Sequence, residues 1–349
     1  MVRRTAVLLG LLVLAPAGAL RAQFGTQLEE DIRRENTRRG TRGANFLEIG
    51  IGARAGALAG AVTADVRGVA ALYWNTAGIA HAARGRIGAT VTRLYEGFDM
   101  TLGHVGGILP VGGGAAGVSL TFFSSGDIER TTIDYPQGND PLFGKTFTYT
   151  GTAVSLHYGR LITDRLAVGG AVRYAQEGFE GAAASYVGID VGTQFQTGIY
   201  GTTIGAAITN VGSEGRFEGS ALRNRLLPGQ GIPTGANVVD VERTTRPFAM
   251  PTTFRFSVMA DLVGGADALI APNPQHQVRL LTDLSDGIST PIQGSVAAEY
   301  SYREILYLRG GKRFYNEGSR APWSESHGLA GGLGIVLPLG RSRLTLDYA

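Results

Sequence analysis

Cysteine is missing from all 349 residues of this chain. Its absence excludes disulfides, cysteine-ligated metals and a thiol nucleophile. Charged residues make up only 17% of the chain, and the net charge of +3 is too small to indicate binding to nucleic acid. The five histidines are scattered without ligand spacing, and the sequence has no nucleophile-elbow motif. We therefore expect no enzymatic activity, no metal site and no cofactor.

Long apolar runs are also missing beyond the N-terminus. Segment 1–22 has two early arginines, a short apolar stretch and small residues at its end, which is the pattern of a cleaved secretory signal. Its apolar stretch is shorter than the roughly 20 residues that a membrane-spanning helix needs. Segment 23–45 carries charges of both signs and is predicted to be a polar leader in the periplasm. The chain is thus expected to be exported.

From residue 83 to residue 349 the chain shows period-two alternation of apolar and polar residues instead. Alternation over about ten residues, with turn residues between the segments, is typical of a transmembrane β-barrel. The predicted fold class is therefore all-β, an antiparallel transmembrane β-barrel. Thirteen segments alternate: 86–95, 100–109, 114–123, 146–158, 165–176, 185–196, 202–211, 252–262, 276–283, 292–301, 305–314, 328–337 and 342–349.

The connections and the strand count extend this prediction. Short turns alternate with long connections such as 124–145 and 212–251, so we expect the turns and the N-terminus on the periplasmic side. Bacterial single-chain barrels have even strand counts, and the sequence ends within an alternating segment. We therefore expect about fourteen strands, the last of which is absent from this sequence. The long connection 212–251 is a candidate external binding element.

Six charged residues fall on the polar faces of the alternating segments. An arginine that faces lipid at the bilayer midplane costs about 2–4 kcal/mol, so these six side chains are predicted to face the lumen. Two interpretations stay open for them, a ladder of ion pairs that fills the lumen or the lining of a substrate path. Their apolar neighbours, such as Phe254 and Phe256, are predicted to face lipid. The six are Asp190, Arg255, Asp261, Arg279, Asp283 and Glu299.

Segment 46–82 interrupts the pattern, because it lacks alternation and is crowded with Gly and Ala. Roughly eight strands already close around a packed interior, so a barrel of about fourteen strands needs something to block it. We predict that this segment is a hatch inside the barrel at its periplasmic end, with a short helix over 65–73 and with Trp74 and Asn75 against the wall. Its displacement would gate access.

The hatch segment also carries a family resemblance. Its strings FLEIGIGARA (46–55), AD (64–65) and ALYWNTAG (71–78) resemble the N-terminal signature of the PorV/PorQ family of outer-membrane barrels, within the wider FadL-like class. In that family an Asn-Pro-Ala motif closes the hatch. Here Thr76 replaces the proline, so the turn is expected to be less rigid. The resemblance implies six hatch and gating residues: Arg54, Asp65, Trp74, Asn75, Ala77 and Gly78.

The resemblance further implies a bacterial outer-membrane location, contact with membrane lipid and one of two functions. PorV-like barrels act with type IX secretion, where they accept exported proteins and hand them on at the surface. Handover of exported proteins is therefore the main prediction, with secreted cargo or secretion machinery as partners. FadL-like barrels are transport channels, so the alternative prediction is a channel for hydrophobic small molecules.

Overall fold

The computed structural model describes residues 40–349 apart from 96, 140, 142–143, 227–238, 316–327 and 341. The predicted signal 1–22 and most of the predicted leader therefore lie outside the described residues. Among the described residues, no helix is both long and apolar enough to cross a membrane.

One antiparallel sheet of thirteen long strands contains most of the described chain, and each long strand pairs with the next one in sequence. A fourteenth strand, Ala271–Pro272, pairs in parallel with the eighth long strand. The predicted all-β antiparallel fold is confirmed. The long strands are β1 Arg86–Leu94, β2 Met100–Val111, β3 Gly114–Glu129, β4 Thr146–Leu161, β5 Leu166–Phe179, β6 Ala182–Gln196, β7 Thr203–Gly212, β8 Thr253–Gly264, β9 His276–Gly287, β10 Gln293–Tyr302, β11 Leu306–Tyr315, β12 Leu329–Leu339 and β13 Ser342–Tyr348.

The two faces of the sheet differ in polarity, because successive residues of a strand point to opposite sides. On β8, Phe254 and Phe256 are each 42% exposed, whereas Arg255 between them is 6% exposed. On β6, Ile189 is 50% exposed and Asp190 is 3% exposed. Apolar side chains thus form the outer face and polar side chains the inner face. A register shifted by one residue would exchange these faces, so the predicted register is correct for both strands.

The two ends of the sheet carry different connections. We call one end the loop end; it has the connections 95–99, 130–145, 180–181, 213–252, 288–292 and 316–328. We call the other the turn end; it has the connections 112–113, 162–165, 197–202, 265–275, 303–305 and 340–341. Connection 265–275 is longer than the other connections of the turn end and contains the short strand Ala271–Pro272, which pairs in parallel with the last residues of β8.

Several strands extend further towards the loop end than the alternation predicts. Strand β3 runs on to Glu129 instead of ending at residue 123, and the two-residue turn 180–181 joins β5 to β6. The added part of β3 contains Ser124, Ser125 and Asp127, which are polar. The apolar–polar signal therefore fades there, although the hydrogen-bonded ladder continues.

Residues 46–82, the hatch, fold as short helical turns that the sheet surrounds. The turn Ala53–Ala57 contacts β11 to β13, whereas the turn Gly68–Ala70 contacts β1 and β2. The sheet therefore wraps around the hatch as a barrel. The helix predicted over 65–73 begins later, at Gly68, where a φ of +66° separates it from the preceding turn. The turns are Asn45–Glu48, Ala53–Ala57, Gly68–Ala70, Ala71–Trp74 and Thr76–His81.

The structure corrects the predicted place of the hatch, which extends along the lumen from the loop end to the turn end. The Gly43 N–H donates to the carbonyl of Ala249 in connection 213–252, at 3.0 Å. Ile79 packs against Gly159, close to the turn end of β4. The buried stretch begins at Gly43, where an added Cβ would lie 2.0 Å from the hydroxyl of the buried Tyr186 side chain. Gly43 and Ala44, which fall within the predicted leader 23–45, are thus buried.

Candidate functional site

A row of alternating charges crosses the inner face of strands β8 to β11. In the strand register, Asp261 lies opposite Arg279, Arg279 opposite Glu299, and Glu299 opposite Arg309. Arg279 Nε lies 3.1 Å from Asp261 Oδ1, and Arg309 Nε lies 2.6 Å from Glu299 Oε2. Arg309 also donates to Asp347 of β13, at 2.5 Å. Cross-strand pairs of opposite charge stabilise a sheet, so this row ties four neighbouring strands together and joins them to β13.

The hatch joins this row through Arg54 and Asp65. Arg54 donates to both carboxylate oxygens of Glu299, at 2.9 and 3.1 Å, and to Asp65 Oδ2 at 2.6 Å. Burial lowers the pKa of Arg54, but the two carboxylates more than offset burial and hold the pKa above its usual value. Arg54 therefore stays charged. We call the following seven residues the charged latch: Arg54, Asp65, Asp261, Arg279, Glu299, Arg309 and Asp347.

Asn75 ties the later part of the hatch to the wall. Its side-chain amide donates to the carbonyl oxygens of Thr63, at 2.9 Å, and of Thr193 on β6, at 3.0 Å. Its Oδ1 accepts from the Ala77 N–H at 3.1 Å and so caps the turn Thr76–His81. Asn75 and Ala77 are both buried. These bonds satisfy backbone groups that would otherwise be buried without partners.

Thr76 stands where the resembling family has proline. Its hydroxyl lies 3.3 Å from Nδ1 of His157 on β4, and the other ring nitrogen of His157 lies 3.0 Å from the Ser119 hydroxyl on β3. This contact gives the turn a tie to the wall that proline, which has no side-chain hydroxyl, would lack. Gly78 lies two residues further on. A Cβ added at this position would lie 2.1 Å from the carbonyl oxygen of Val66, so the close approach of the two backbones requires glycine.

Three glycines on the inner face of the wall leave room for hatch atoms, which are backbone atoms at Gly169 and Gly205 and the Asn75 side chain at Gly192. A Cβ at Gly169 would lie 2.5 Å from the carbonyl carbon of Thr76, and one at Gly205 would lie 2.4 Å from the Cα of Ala64. A Cβ at Gly192 would lie 2.0 Å from the Asn75 Oδ1. Glycine within a strand often marks such a close approach of another backbone. We call these positions glycine notches, and they fix where the hatch fits.

Trp74 contacts both the earlier part of the hatch and the wall. Its indole N–H donates to the Ile51 carbonyl at 3.0 Å. The guanidinium of Arg255 on β8 lies 5.0 Å from the centre of the Trp74 ring, a cation–π distance, and donates to the Thr209 hydroxyl at 3.3 Å. The predicted contact of Trp74 with the wall is therefore made through Arg255.

Asp190 and Asp283 lie outside the charged latch. Asp190 is 2.7 Å from Arg173 of β5 and accepts from the Asn210 N–H at 2.7 Å, so its partners belong to the wall. Asp283 accepts from the Thr63 N–H of the hatch at 3.4 Å. Of the six residues predicted to face the lumen, three belong to the latch, Arg255 and Asp283 contact the hatch elsewhere, and Asp190 pairs within the wall.

An aromatic cluster lies in the half of the lumen nearer the loop end. The ring of Phe46 stacks on that of Phe123 on β3, with 6.4 Å between their centres and an angle of 21°. Phe123 makes an edge contact with Tyr149 of β4 at 6.0 Å. A Cβ at Gly151 would lie 2.5 Å from the Phe46 ring, so Gly151 leaves room for that ring. Sequence reasoning missed this cluster as a site, because inward aromatic residues resemble ordinary core residues.

Tyr73 is hydrogen-bonded to the backbone of the residues that directly follow Phe46 in the hatch. Its hydroxyl lies 2.8 Å from the carbonyl oxygen of Leu47 and 2.6 Å from that of Ile49. Burial raises the pKa of Tyr73 to about 12, so the hydroxyl stays protonated and can donate. The position of Phe46 against Phe123 therefore depends on Tyr73.

The barrel wall is irregular beside the aromatic cluster. The register between β3 and β4 shifts between Ser124 and Asp127, which leaves one extra residue on β3. Gly126 has a φ of +69°, and the Ser125 hydroxyl accepts from the Tyr149 N–H at 2.9 Å. A bulge disrupts the ladder locally. Gly126 within an alternating strand is the signal that could have predicted it.

No protein-family model and no curated protein sequence matches this chain. Its fold is similar to that of the toluene transporter TodX of Pseudomonas putida, with a TM-score of 0.51 and 13% identity, over 85% of this chain and 91% of that chain. A Pseudomonas aeruginosa FadL homologue gives a TM-score of 0.50 and 10% identity, over 86% and 89%. The monoaromatic hydrocarbon channel CymD gives 0.50 and 11%, over 86% and 92%. Identities this low show a shared fold alone.

The comparisons thus support the FadL-like part of the predicted resemblance at the level of the fold. This chain and the FadL homologue share one barrel architecture over most of both chains. Membership of the PorV/PorQ family, which rests on the hatch signature, stays a prediction.

Proposed function

We propose that this protein is an outer-membrane channel for small hydrophobic molecules. The observation that carries the proposal is the aromatic cluster of Phe46, Phe123 and Tyr149 in the lumen, beside the β3 bulge. Ligand sites for apolar molecules are concave and lined by aromatic and apolar side chains. Support also comes from the similar solved structures, which are named as a toluene transporter and a monoaromatic hydrocarbon channel.

The outer face of the barrel supports the membrane location. Its large apolar side chains, such as Val172, Leu308 and Leu333, are more than half exposed, whereas buried charges lie on the inner face. Outer-membrane barrels have longer loops outside the cell and shorter turns in the periplasm. We therefore assign the loop end to the outside. This assignment conflicts with the predicted periplasmic place of the leader 23–45, because its described residues 40–45 lie at the loop end, whereas segment 23–39 lies outside the described residues.

This orientation gives a labelling prediction. Thr41 is exposed at the loop end, and Asp164 is exposed in a connection at the turn end. The chain has no cysteine of its own, so the unchanged protein gives the background. We expect Thr41→Cys to react with a membrane-impermeant maleimide in intact cells, and Asp164→Cys to react only after the outer membrane is permeabilised. The opposite pattern would show that the loop end faces the periplasm.

The proposed path enters at the loop end, reaches the aromatic cluster and leaves sideways through the wall at the bulge. The way along the axis is unsuited to an apolar solute, because the charged latch and the Asn75 contacts lie across it. Charged and polar groups favour water over an apolar molecule. In this proposal the hatch gates the path, and six of its residues are the gating residues. Arg54, Asp65, Trp74 and Asn75 contact the wall, whereas Ala77 and Gly78 shape the turn that follows Asn75.

Uptake of radiolabelled toluene tests the proposal. The assay needs cells with an intact lipopolysaccharide outer membrane and without their own hydrocarbon channels. We expect the full chain to speed uptake, and deletion of Gly126, which removes the extra residue of the bulge, to abolish most of that gain. Deletion of Thr244, an exposed residue of connection 213–252, is the matched control and should leave uptake unchanged. Equal uptake with and without the protein would overturn the proposal.

Handover of exported proteins is the second candidate function. It is favoured by the hatch signature and by the small ladders that connection 213–252 forms at the loop end. One ladder pairs Glu214–Gly215 with Phe248–Ala249, and another pairs Arg223–Leu226 with Val239–Glu242. Affinity capture from membranes, analysed for both proteins and lipids, separates the candidates. Recovery of secreted proteins would favour handover, and recovery of bound hydrophobic molecules alone would favour the channel.

A further inference from the structure

Two rows of large aliphatic and aromatic side chains cross the outer face of strands β10 to β13. The members of a row lie directly opposite one another in the strand register, and the rows are two residues apart along each strand. Leu308 is 57% exposed and the next residue, Arg309, is 5% exposed, so the rows are on the outer face. The row further from the turn end is Tyr300, Leu308, Leu333 and Tyr348. The row nearer the turn end is Tyr302, Leu306, Ile335 and Leu346.

The two rows are the walls of a groove with a volume of about 740 Å³. Its floor is backbone, because Tyr307, Gly334 and Asp347 lie between the rows and their side-chain positions point to the lumen. Neighbouring strands lie about 4.8 Å apart, so a groove across four strands is roughly 14 Å long. One leaflet of the hydrocarbon core is about 15 Å deep. The groove therefore has the length and the apolar walls that suit one acyl chain.

A polar cap lies at the β10 end of the groove. The guanidinium of Arg303 lies 5.2 Å from the centre of the Tyr302 ring. On β9, His276 is opposite Tyr302, and its Nδ1 lies 2.8 Å from the Tyr300 hydroxyl. The cap thus places an arginine and a tyrosine hydroxyl beside an otherwise apolar groove.

The charge of Arg303 is not neutralised by the neighbouring carboxylate. Glu304 accepts from Gln277, which lies opposite the buried Ser301 on the inner face. Arg303 itself is exposed and forms no ion pair with the residues that the structure describes. It is therefore available to an anion that arrives from the membrane.

The turn that carries Arg303 is strained. The Ile305 N–H donates to the Tyr302 carbonyl at 3.0 Å, and φ is +52° at Arg303 and +54° at Glu304. A positive φ at both central residues defines a type I′ turn, which favours Asn-Gly. Strained residues of this kind cluster at ligand clamps. An arginine at such a position lowers stability, which is consistent with a role for its side chain in binding.

We propose that this groove binds one anionic phospholipid of the membrane, with an acyl chain between the two rows and the phosphate at Arg303. Arginine binds phosphate through charge-assisted hydrogen bonds, and basic residues beside the membrane surface attract anionic lipids. Tyrosine side chains suit the same boundary between apolar chains and polar head groups. The inference rests on the membrane location of the proposed function but does not depend on the toluene path.

Native mass spectrometry of the full chain in mild detergent tests this inference, with phosphatidylglycerol and phosphatidylcholine of identical acyl chains as probes. We expect one phosphatidylglycerol to stay bound, and phosphatidylcholine to be retained about fivefold less, the factor for one basic residue near an anionic head group. Arg303→Asn should lower phosphatidylglycerol retention by a similar factor. Because asparagine tolerates the left-handed conformation, the same variant should unfold at a higher urea concentration. Leu333→Trp, which fills the groove, should abolish retention of both lipids.

Matched controls come from β4, where Arg160 and Leu156 are exposed at the turn end and on the outer face. Arg160→Asn and Leu156→Trp should retain phosphatidylglycerol like the unchanged protein. Heat-modifiable electrophoretic mobility identifies the variants that are folded. Unchanged retention in folded Arg303→Asn or Leu333→Trp, or equal retention of the two lipids, would overturn the inference. Toluene uptake and cysteine labelling in cells are separate measurements, so failure of the channel or of the membrane location is told apart from failure of the lipid site.

Discussion

Replacing Glu299 by alanine is expected to lower the free energy of unfolding by about 3–5 kcal/mol, the range for removing one partner of a buried ion pair. Glu299 is 2% exposed and accepts from Arg54 at 2.9 and 3.1 Å and from Arg309 at 2.6 Å. Without it, the buried guanidinium of Arg309 loses one of its two carboxylates and Arg54 loses its tie to the wall. Urea unfolding in detergent, followed by tryptophan fluorescence, measures the change.

The control for this prediction is Glu304→Ala in the exposed connection 303–305. Glu304 accepts from Gln277 at 3.2 Å in an exposed place, and surface substitutions usually change stability by less than about 0.5 kcal/mol. Glu299→Gln keeps the shape of the side chain and should fall between the two. If Glu299→Ala unfolds at the same urea concentration as the unchanged protein, the charged latch does not hold the hatch.

Deleting residues 46–80 is expected to leave an inserted barrel with a large gain in conductance. A barrel of about fourteen strands is too wide for its own side chains to fill, since roughly eight strands already enclose a packed interior. The deleted segment supplies much of the buried core, including Phe46, Leu58 and Leu72. Its loss would leave the glycine notches and the polar inner face in contact with water. Planar-bilayer recording measures the gain.

A deletion of equal length within connection 213–252, residues 214–248, is the control and should not raise the conductance to the same level. A point variant tests the same idea with less disturbance. Gly192→Val adds a side chain at a position where even a Cβ would lie 2.0 Å from the Asn75 Oδ1, so it should displace Asn75 from the wall. If the hatch deletion conducts no more than the unchanged protein, the hatch does not block the barrel.

The faces of the strands could be predicted from the sequence because lipid and lumen impose opposite polarities on alternate residues. Phe254, Arg255 and Phe256 show this directly, with the arginine buried between two exposed rings. The same rule placed Asp261, Arg279 and Glu299 on the inner face. It could not show that they lie opposite one another, because that depends on the register between strands. The pairing of β8 with β9 also has an irregularity between Asp261 and Val263, which the alternation does not predict.

The path of the hatch and the bulge of β3 were harder to predict. Gly43 and Ala44 look like part of a polar leader, and their burial depends on distant parts of the chain, namely the Tyr186 side chain and the Ala249 carbonyl. The register shift in β3 can be recognised only when the pairing of β3 with β4 is known. Glycine content indicated close packing, but a strand glycine does not reveal which backbone lies against it.

The course of the hatch through the lumen sets an order of assembly. One end of this segment is hydrogen-bonded at the loop end through Gly43, and the other continues at the turn end into β1. A sheet that had already curled shut would need the segment to be pushed through it lengthwise. The sheet therefore has to roll up around a hatch that is already in place, and the glycine notches then decide how closely it can roll. We expect that a hatch peptide added to barrels refolded without it would fail to restore the closed state.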